Sequence, residues 1–238
     1  MSEKESGSPP TPKKSVAREY LESVVVAVIL ALFIRTFAVQ AFKIPTGSME
    51  TNLLIGDHLL VNKLVYSPSL GGIESTLLGK KEVQRGHVVV FKFPEDPSRD
   101  FIKRVIGLPG ETVEIRDKKV YINGNPLDEP YARFLEPPLR HDDPEYGLRG
   151  ESRGDNYGPA VVPPGDLFVL GDNRDNSRDS RFWGFLPRDQ VKGRALLVYW
   201  SYEATRDEYH RTDAVDWVRD TVSAFGKTRW ERFFHLIR

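Results

Sequence analysis

The chain has 238 residues, with 34 basic and 34 acidic side chains and no cysteine. This length is sufficient for a sizeable buried core and leaves room for a membrane anchor beside one domain. The formal net charge of zero gives no basic excess to attract nucleic acid, and the lack of cysteine excludes disulfides, thiolate metal sites and a thiol nucleophile.

The N-terminal part divides into a polar tail and an apolar run. Residues 1–19 are rich in Ser, Pro and Lys, which predicts a disordered tail. Residues 20–42 are apolar apart from five side chains, and about 20 such residues span a bilayer, so the run predicts one transmembrane helix. A buried core helix and a cleaved signal peptide compete with this interpretation. The signal peptide is disfavoured because no small-x-small site precedes a polar mature start.

Basic residues are distributed unevenly around this run. Lys4, Lys13, Lys14 and Arg18 precede it, whereas Lys43 stands almost alone behind it. The positive-inside rule therefore predicts a cytoplasmic N-terminus and places the domain formed by residues 43–238 outside the cytoplasm.

Short segments with β character follow one another through this domain. They cover 58–66, 88–93, 101–106, 112–115, 120–122, 167–170 and 195–200. Their spacing predicts a mostly β fold, an antiparallel β-rich catalytic domain. Many prolines and charges over 125–164 predict a small inserted lobe. Aromatic and basic residues at helical spacing over 214–238 predict a short amphipathic C-terminal helix, which either contacts the membrane or packs on the β-domain.

A serine follows the apolar run within the stretch 42–49. Pro45 fixes its own φ and favours an extended conformation before it, while Gly47 permits a tight turn. Such a turn presents the Ser48 hydroxyl beside a backbone N–H, as acyl transfer requires. On this stretch alone, an ordinary turn serine is the favoured interpretation.

A nucleophilic serine needs a base, and none of the five histidines stands in a convincing position. Strand alternation places Lys103 on an apolar face with Phe101 and Val105, while Arg104 points the other way. An amine in that position either snorkels to solvent or is desolvated, and on this stretch alone snorkelling is the favoured state. Desolvation lowers the pKa of a lysine and makes it a usable base near neutral pH.

The stretch GDNRDNSRDSRFWG, at 171–184, alternates acidic and basic residues with small hydroxyls. A calcium loop counted from Asp175 requires Gly and Glu where Ser180 and Leu186 stand, so no metal site is predicted. The pattern instead indicates a network of hydrogen bonds and ion pairs that fixes a loop.

Three stretches, IPTGSM, FIKRVIGLPGE and GDNRDNSRDSRFWG, together resemble the type I signal peptidases of bacteria, both in their amino acids and in their order along the chain. The resemblance runs from about Glu22 to the tail. It implies that Ser48 is the nucleophile and Lys103 the general base. It also implies an oxyanion hole formed by the Ser48 N–H and the Thr46 hydroxyl, and orientation of the lysine by Ser177. Asp179 and Arg181 would form an ion pair that supports the site. Gly171 and Asn173 belong to the same family motif.

The same resemblance implies a membrane-bound serine endopeptidase that removes signal peptides from secreted preproteins with small residues at the first and third positions before the cut. It implies a bacterial inner membrane location with the catalytic domain on the periplasmic side, contact with membrane lipid, no cofactor and no nucleic acid. Plausible walls of the shallow apolar pockets are Phe42, Ile44, Leu53, Phe101 and Ile102. Two features depart from many members of the family, namely Thr46 in place of serine and a single apparent span.

Two alternatives remain open. One is another Ser–Lys peptidase, such as the self-cleaving repressors, although the apolar run and the lack of a DNA-binding region disfavour it. The other is an inactive membrane-tethered β-domain that acts as a binding or scaffold protein. The presence of Ser48, Lys103 and Ser177 disfavours the second alternative.

Overall fold

The computed structural model of the protein describes residues 16–64, 82–136, 154–203 and 226–237. The chain forms two compact units, Met1–Ala38 and Val39–Arg238. The first contains helix α1, Val16–Phe33, which continues into a short π-helical turn at Ile34–Ala38. No side chain of α1 is buried, and its valines, leucines and Ile29 are exposed. None of the helices in these described ranges is long and apolar enough to cross a membrane.

This arrangement corrects the predicted boundaries at both ends of the apolar run. The helix begins at Val16, inside the predicted disordered tail, whose residues 1–15 lie outside the described residues. At the other end, the predicted helix to residue 42 is wrong, because Val39–Lys43 is a strand. Its backbone pairs with a second strand, Phe42 opposite Leu59, so these apolar residues belong to a sheet.

The described residues of the second unit form twelve strands, numbered here along the chain. The first six are β1 (Val39–Lys43), β2 (Asp57–Asn62), β3 (Val88–Phe93), β4 (Asp96–Gly107), β5 (Thr112–Arg116) and β6 (Lys119–Ile122). The others are β7 (Asn125–Pro126), β8 (Tyr157–Val161), β9 (Asp166–Leu170), β10 (Leu186–Pro187), β11 (Val191–Ser201) and β12 (His235–Leu236). The predicted strand segments are thereby confirmed with altered ends, apart from residues 65–66 of the first segment, which lie outside the described residues. The pairings are antiparallel.

Eight strands form the larger sheet, in the order β1-β2-β11-β3-β4-β9-β10 with β12 paired to β11. Side chains of β2 alternate between buried and half-buried, as a strand with one face on a core requires. The second half of β4 is buried throughout. Its residues reach three separate hydrophobic clusters, through Ile102 in the first, Val105 in the second and Ile106 in the third. Any polar side chain in this half of β4 is therefore removed from water.

The smaller sheet has the order β7-β6-β5-β8. It shares the third hydrophobic cluster with the larger sheet, because Val113 and Val120 pack with Phe168 and Leu170. The predicted lobe over 125–164 is not confirmed as a separate element. Its described strands, β7 and β8, belong to a sheet that already begins at Thr112, and residues 137–153 lie outside the described ranges.

The C-terminal helix predicted over 214–238 is not confirmed: Gly226 is helical, but residues 227–237 contain one 3-10 turn, Trp230–Arg232, and strand β12. Residues 214–225 and 238 lie outside the described residues. Pairing with β11 satisfies the backbone here, and the Ile237 N–H donates to the Leu196 carbonyl at 2.9 Å. Ile237 is buried in the first hydrophobic cluster, so contacts with the larger sheet hold this end of the chain.

Candidate active site

Ser48 lies in a single 3-10 turn, Gly47–Met49, between β1 and β2. The chain after it is fixed by Met49 and Leu53, which are fully buried, and by a hydrogen bond from the Leu53 N–H to the Met49 carbonyl at 2.9 Å. A Cβ added at Gly47 would lie 2.8 Å from Cδ of Glu50, the flexible end of a side chain that would have to move. The Ser48 side chain is only 8% exposed.

Lys103 of β4 reaches this serine directly. Its Nζ donates a hydrogen bond to Ser48 Oγ at 2.7 Å and another to the Ile102 carbonyl at 3.0 Å. The Phe101 ring centroid lies 5.5 Å from the same nitrogen. Lys103 is 3% exposed, so the amine is desolvated and does not snorkel to the surface. Of the two states that the sequence left open, the structure has the desolvated one.

Burial lowers the pKa of Lys103 to about 8 from the ordinary 10.5. Asp179 and Asp172 oppose this shift in the pKa, and Arg181 adds to it. Roughly a tenth of the amine is then neutral at pH 7, and the neutral fraction rises steeply above that pH. Burial also lowers the pKa of His58 and of His87, each to about 4. Neither histidine lines the cleft that contains Ser48.

The predicted ion pair is present in the loop after β9. Arg181 donates from Nε to Oδ1 of Asp179 at 2.8 Å and from Nη2 to Oδ2 at 2.9 Å. The Gly171 N–H donates to Oδ2 of the same carboxylate at 3.1 Å. Burial works against ionisation of Asp179, but Arg181 and these hydrogen bonds hold its pKa below the usual range. The carboxylate also caps helix α2, Ser180–Trp183. The loop is therefore fixed internally, as its alternating charges predicted.

Two residues of this loop hold the Ser48 turn in place. Asn173 donates from its backbone N–H to the Ser48 carbonyl and from Nδ2 to the Gly47 carbonyl, both at 3.1 Å. Gly171 allows the closest approach, since a Cβ there would lie 2.6 Å from the Ser48 carbonyl oxygen and would also collide with Ser177. Any larger residue at position 171 must displace one of these neighbours.

Ser177 and Thr46 both line the cleft beside Ser48 and Lys103. Oγ of Ser177 is buried and has no hydrogen-bond partner of good geometry within the described part of the chain. It lies close enough to Asp179 to contribute to the lowered pKa of that carboxyl. The hydrogen bonds of Lys103 go instead to Ser48 and Ile102. Thr46 is exposed. Orientation of the lysine by Ser177 and oxyanion binding by Thr46 stay predictions.

A second buried ion pair, which the sequence analysis missed, joins β4 to the same loop. Arg104 donates from Nε to Oδ1 of Asp172 at 2.8 Å and from Nη2 to Oδ2 at 2.7 Å, and both side chains are at most 1% exposed. Removing one partner of such a pair typically costs about 3–5 kcal/mol, because the other charge stays buried. The signal in the sequence was a guanidinium in the middle of an apolar strand, since a buried charge must be paired.

The cleft has a volume of about 750 Å³. Of the predicted pocket walls, Phe101 and Ile102 line it, whereas Phe42, Ile44 and Leu53 do not. Ile44 and Leu53 are buried in the first hydrophobic cluster, and Phe42 packs against that cluster. These three residues are close to Ser48 in sequence, but their side chains pack in or against the core below the turn. The whole lining comprises Pro45, Thr46, Gly47, Ser48, Arg99, Asp100, Phe101, Ile102, Lys103, Asp175, Asn176, Ser177, Arg178 and Phe182.

The geometry defines what this site can do. A hydroxyl hydrogen-bonded to a desolvated amine, at the wall of an open cleft, has a nearby acceptor for its proton. Such a pair supports nucleophilic attack on a carbonyl carbon without a histidine or a metal ion. No group of side chains suited to hold a metal ion occurs among residues 16–64, 82–136, 154–203 and 226–237.

Comparison with known proteins shows the family to which this chain belongs. The model of the family described as "Signal peptidase, peptidase S26" matches residues 17–200. A probable signal peptidase I-2 of Synechocystis is 38% identical over 196 residues, covering 80% of this chain and 76% of that protein. Signal peptidase I of Leptolyngbya laminosa is 38% identical over 216 residues, covering 84% and 92%.

A crystal structure of a signal peptidase I from Enterococcus faecalis is 37% identical in sequence. It covers 48% of this chain and 97% of that one, with a TM-score of 0.36. The family assignment depends on the family model, whose match over residues 17–200 spans the positions of Ser48 and Lys103, and on relatives that cover 80% and 84% of this chain. This chain belongs to the signal peptidase family, peptidase S26.

Proposed function

We propose that the protein is a serine endopeptidase that removes N-terminal signal peptides from secreted preproteins, with Ser48 as nucleophile and Lys103 as general base. One observation carries the assignment of these roles: Nζ of Lys103 lies 2.7 Å from Ser48 Oγ, and burial lowers the pKa of this amine to about 8. Membership of the signal peptidase family supports the reaction, because its relatives bear the name signal peptidase I.

The proposed reaction has two halves. The neutral Lys103 amine takes the proton of Ser48 Oγ as this oxygen attacks the scissile carbonyl carbon. The resulting ammonium then gives that proton to the leaving amine, so the peptide C–N bond breaks and an ester to Ser48 remains. In the second half, the amine takes a proton from water, which attacks the ester and releases the signal peptide with a free carboxylate. Lys103 finally returns the proton to Ser48.

The remaining residues of the site have supporting roles in this proposal. The backbone N–H of Ser48 and the hydroxyl of Thr46 stabilise the oxyanion of each tetrahedral intermediate. Ser177 orients the lysine, while Asn173 and Gly171 hold the Ser48 turn against the loop. Asp179 and Arg181 fix the loop itself. The contacts of Asn173 and Asp179 described above support these assignments.

Phe101 and Ile102 form an apolar wall of the cleft next to Lys103. We expect this wall to accept small side chains at the first and third positions before the cut and to exclude large ones, since a shallow apolar pocket discriminates by volume.

The N-terminal helix α1 leads to a proposal on location. Its apolar side chains are exposed along its whole length, which is unfavourable in water but favourable in lipid. Membrane lipid is therefore a proposed partner, with the N-terminus on the cytoplasmic side and residues from Val39 onward outside.

The full chain should stay with membranes after alkaline carbonate extraction, and the double change Val25→Asp with Ile29→Asp should release it. Release of the unmodified chain would refute the proposed lipid contact.

The central test of the proposed function is cleavage of a preprotein by the purified full chain in lipid vesicles. A substrate with alanine at the first and third positions before the cut should be cleaved at that junction, and Ser48→Ala should abolish cleavage while the melting temperature is retained. Phenylalanine at either position should lower kcat/KM by about 10- to 200-fold. An inert wild-type protein would favour the binding-domain alternative, and an active Ser48→Ala variant would overturn the nucleophile.

The proposed base predicts the pH dependence. Lys103 must be neutral to accept a proton, so kcat/KM should rise with pH through an acid limb near the lysine's pKa of about 8. Lys103→Arg should lower kcat/KM at least about 1,000-fold, since a guanidinium stays protonated. His58→Gln and His87→Gln should leave the limb in place, because both histidines have a pKa of about 4. Loss of the limb in either histidine variant would reassign the base.

A further inference from the structure

The C-terminal segment 226–237 is fastened to the turn that follows the proposed nucleophile, residues 49–57. Arg232 provides the main contact. It donates from Nε to Oδ1 of Asp57 at 3.0 Å and from Nη2 to Oδ2 at 2.6 Å. The same Nη2 donates to the Asn52 carbonyl at 2.8 Å. Asp57 is completely buried and Arg232 is 14% exposed, so this pair is largely shielded from water.

Further contacts make the attachment specific to this turn. Oδ2 of Asp57 accepts the Leu54 N–H at 2.8 Å, and Nη1 of Arg229 donates to the Ile55 carbonyl at 3.1 Å. The pairing of β12 with β11 in turn anchors the segment to the larger sheet. Two arginines of the C-terminal segment thus form hydrogen bonds to three residues of the turn, Asn52, Ile55 and Asp57. The turn is irregular as far as Gly56, whose carbonyl accepts the Tyr202 N–H at 3.3 Å, and it enters β2 at Asp57, which pairs with Ser201 of β11.

The side chain of Asn52 extends this network to the base. Its Nδ2 donates to Oδ2 of Asp172 at 2.7 Å, and Asp172 is the buried partner of Arg104. Arg104 directly follows Lys103 in β4. A continuous set of hydrogen bonds therefore runs from Arg232 through Asn52 and Asp172 to the strand of the base. The same set holds the turn four residues beyond the nucleophile.

We propose that Arg232 is a positioning residue for the reaction: it holds Asn52 and Asp57 so that Ser48 and Lys103 keep their hydrogen-bonding distance. This inference rests on the proposed function of the two residues. Arg232 touches neither Ser48 nor the lining of the cleft, so it acts on geometry and not on substrate binding. Displacement of a reacting atom by about 1 Å can cost about 100-fold in rate, so a small shift of the turn is sufficient for a large effect.

The test compares Arg232→Met with a matched control, Arg85→Met. Arg85 also makes a partly buried ion pair, to Glu111 at 2.6 Å, and also donates to a backbone carbonyl, that of Ile106. It does not line the cleft and makes no contact with the 49–57 turn. We measure single-turnover and steady-state cleavage of a preprotein by the full chain in lipid vesicles, and the melting temperature of each variant. The melting temperature reports lost stability, and the cleavage rates report a displaced active site.

We expect Arg232→Met to lower kcat about 10- to 100-fold with KM changed less than about threefold, because chemistry is impaired and the cleft walls are intact. Arg85→Met should lower the melting temperature similarly but keep kcat within about threefold of the wild-type value. Arg232→Lys should recover part of kcat, since it keeps the charge but cannot bond Asp57 and Asn52 with the planar fork of arginine.

Asn52→Ala provides an independent measurement, which also decides the matter if Arg232→Met does not fold. It removes the bond to Asp172 and should itself lower kcat. Combined with Arg232→Lys, the loss in kcat should be clearly smaller than the product of the two single losses, because both changes break one network.

Two results overturn the inference: kcat of Arg232→Met equal to that of Arg85→Met, or independent effects of Arg232→Lys and Asn52→Ala. Either result would leave the proposed peptidase function intact as long as Ser48→Ala is inactive. Cleavage by Ser48→Ala would instead contradict both the proposed function and the role of Arg232.

Discussion

The desolvation of one amine is the constraint on which the rest of the site depends. Lys103 lies in the half of β4 that touches three hydrophobic clusters, and this surrounding favours the neutral amine. Two buried carboxylates nearby, Asp179 and Asp172, would restore its proton if they acted alone. Each of them is bonded by both oxygens to its own arginine, Arg181 or Arg104. Burial and the charge of Arg181 both lower the pKa of the lysine, so the buried acids fix the loop without keeping the lysine fully protonated.

The same pairs determine the geometry around the serine. The loop after β9 contacts the Ser48 turn through Asn173 and is held to β4 by Asp172, so the nucleophile and the base share one rigid support. Gly171 permits that close approach. From the other side, the C-terminal segment binds the turn through Arg232. Residues from four distant parts of the chain thereby support the one hydrogen bond between Lys103 and Ser48. The position of the site therefore depends on β pairing between remote segments and not on local sequence.

Sequence patterns predicted the strands of the core and a loop fixed by its own charges, because alternation and charge pattern are local properties. The pairing of Asp179 with Arg181 was implied by the resemblance to the signal peptidases. Sequence patterns also located Ser48 and Lys103, whose proximity the structure shows. They did not predict that Val39–Lys43 leaves the apolar run to form an edge strand, since helix and strand share the same apolar composition there. Ile44 and Leu53 were expected at the cleft but serve the core, because burial depends on contacts with Ile237 and other remote residues. The partner of Arg104 lies 68 residues away and could not be identified from spacing.

The state of the Lys103 amine is the quantity that tests this account most directly. In protein labelled with ¹³C at the lysine ε-carbons, the Lys103 signal can be assigned by its loss in Lys103→Met and followed against pH by NMR. We expect a titration midpoint of Lys103 near 8, well below the ordinary 10.5. A Lys103 midpoint at the ordinary value would show that the amine is protonated at neutral pH and would contradict its assignment as the general base.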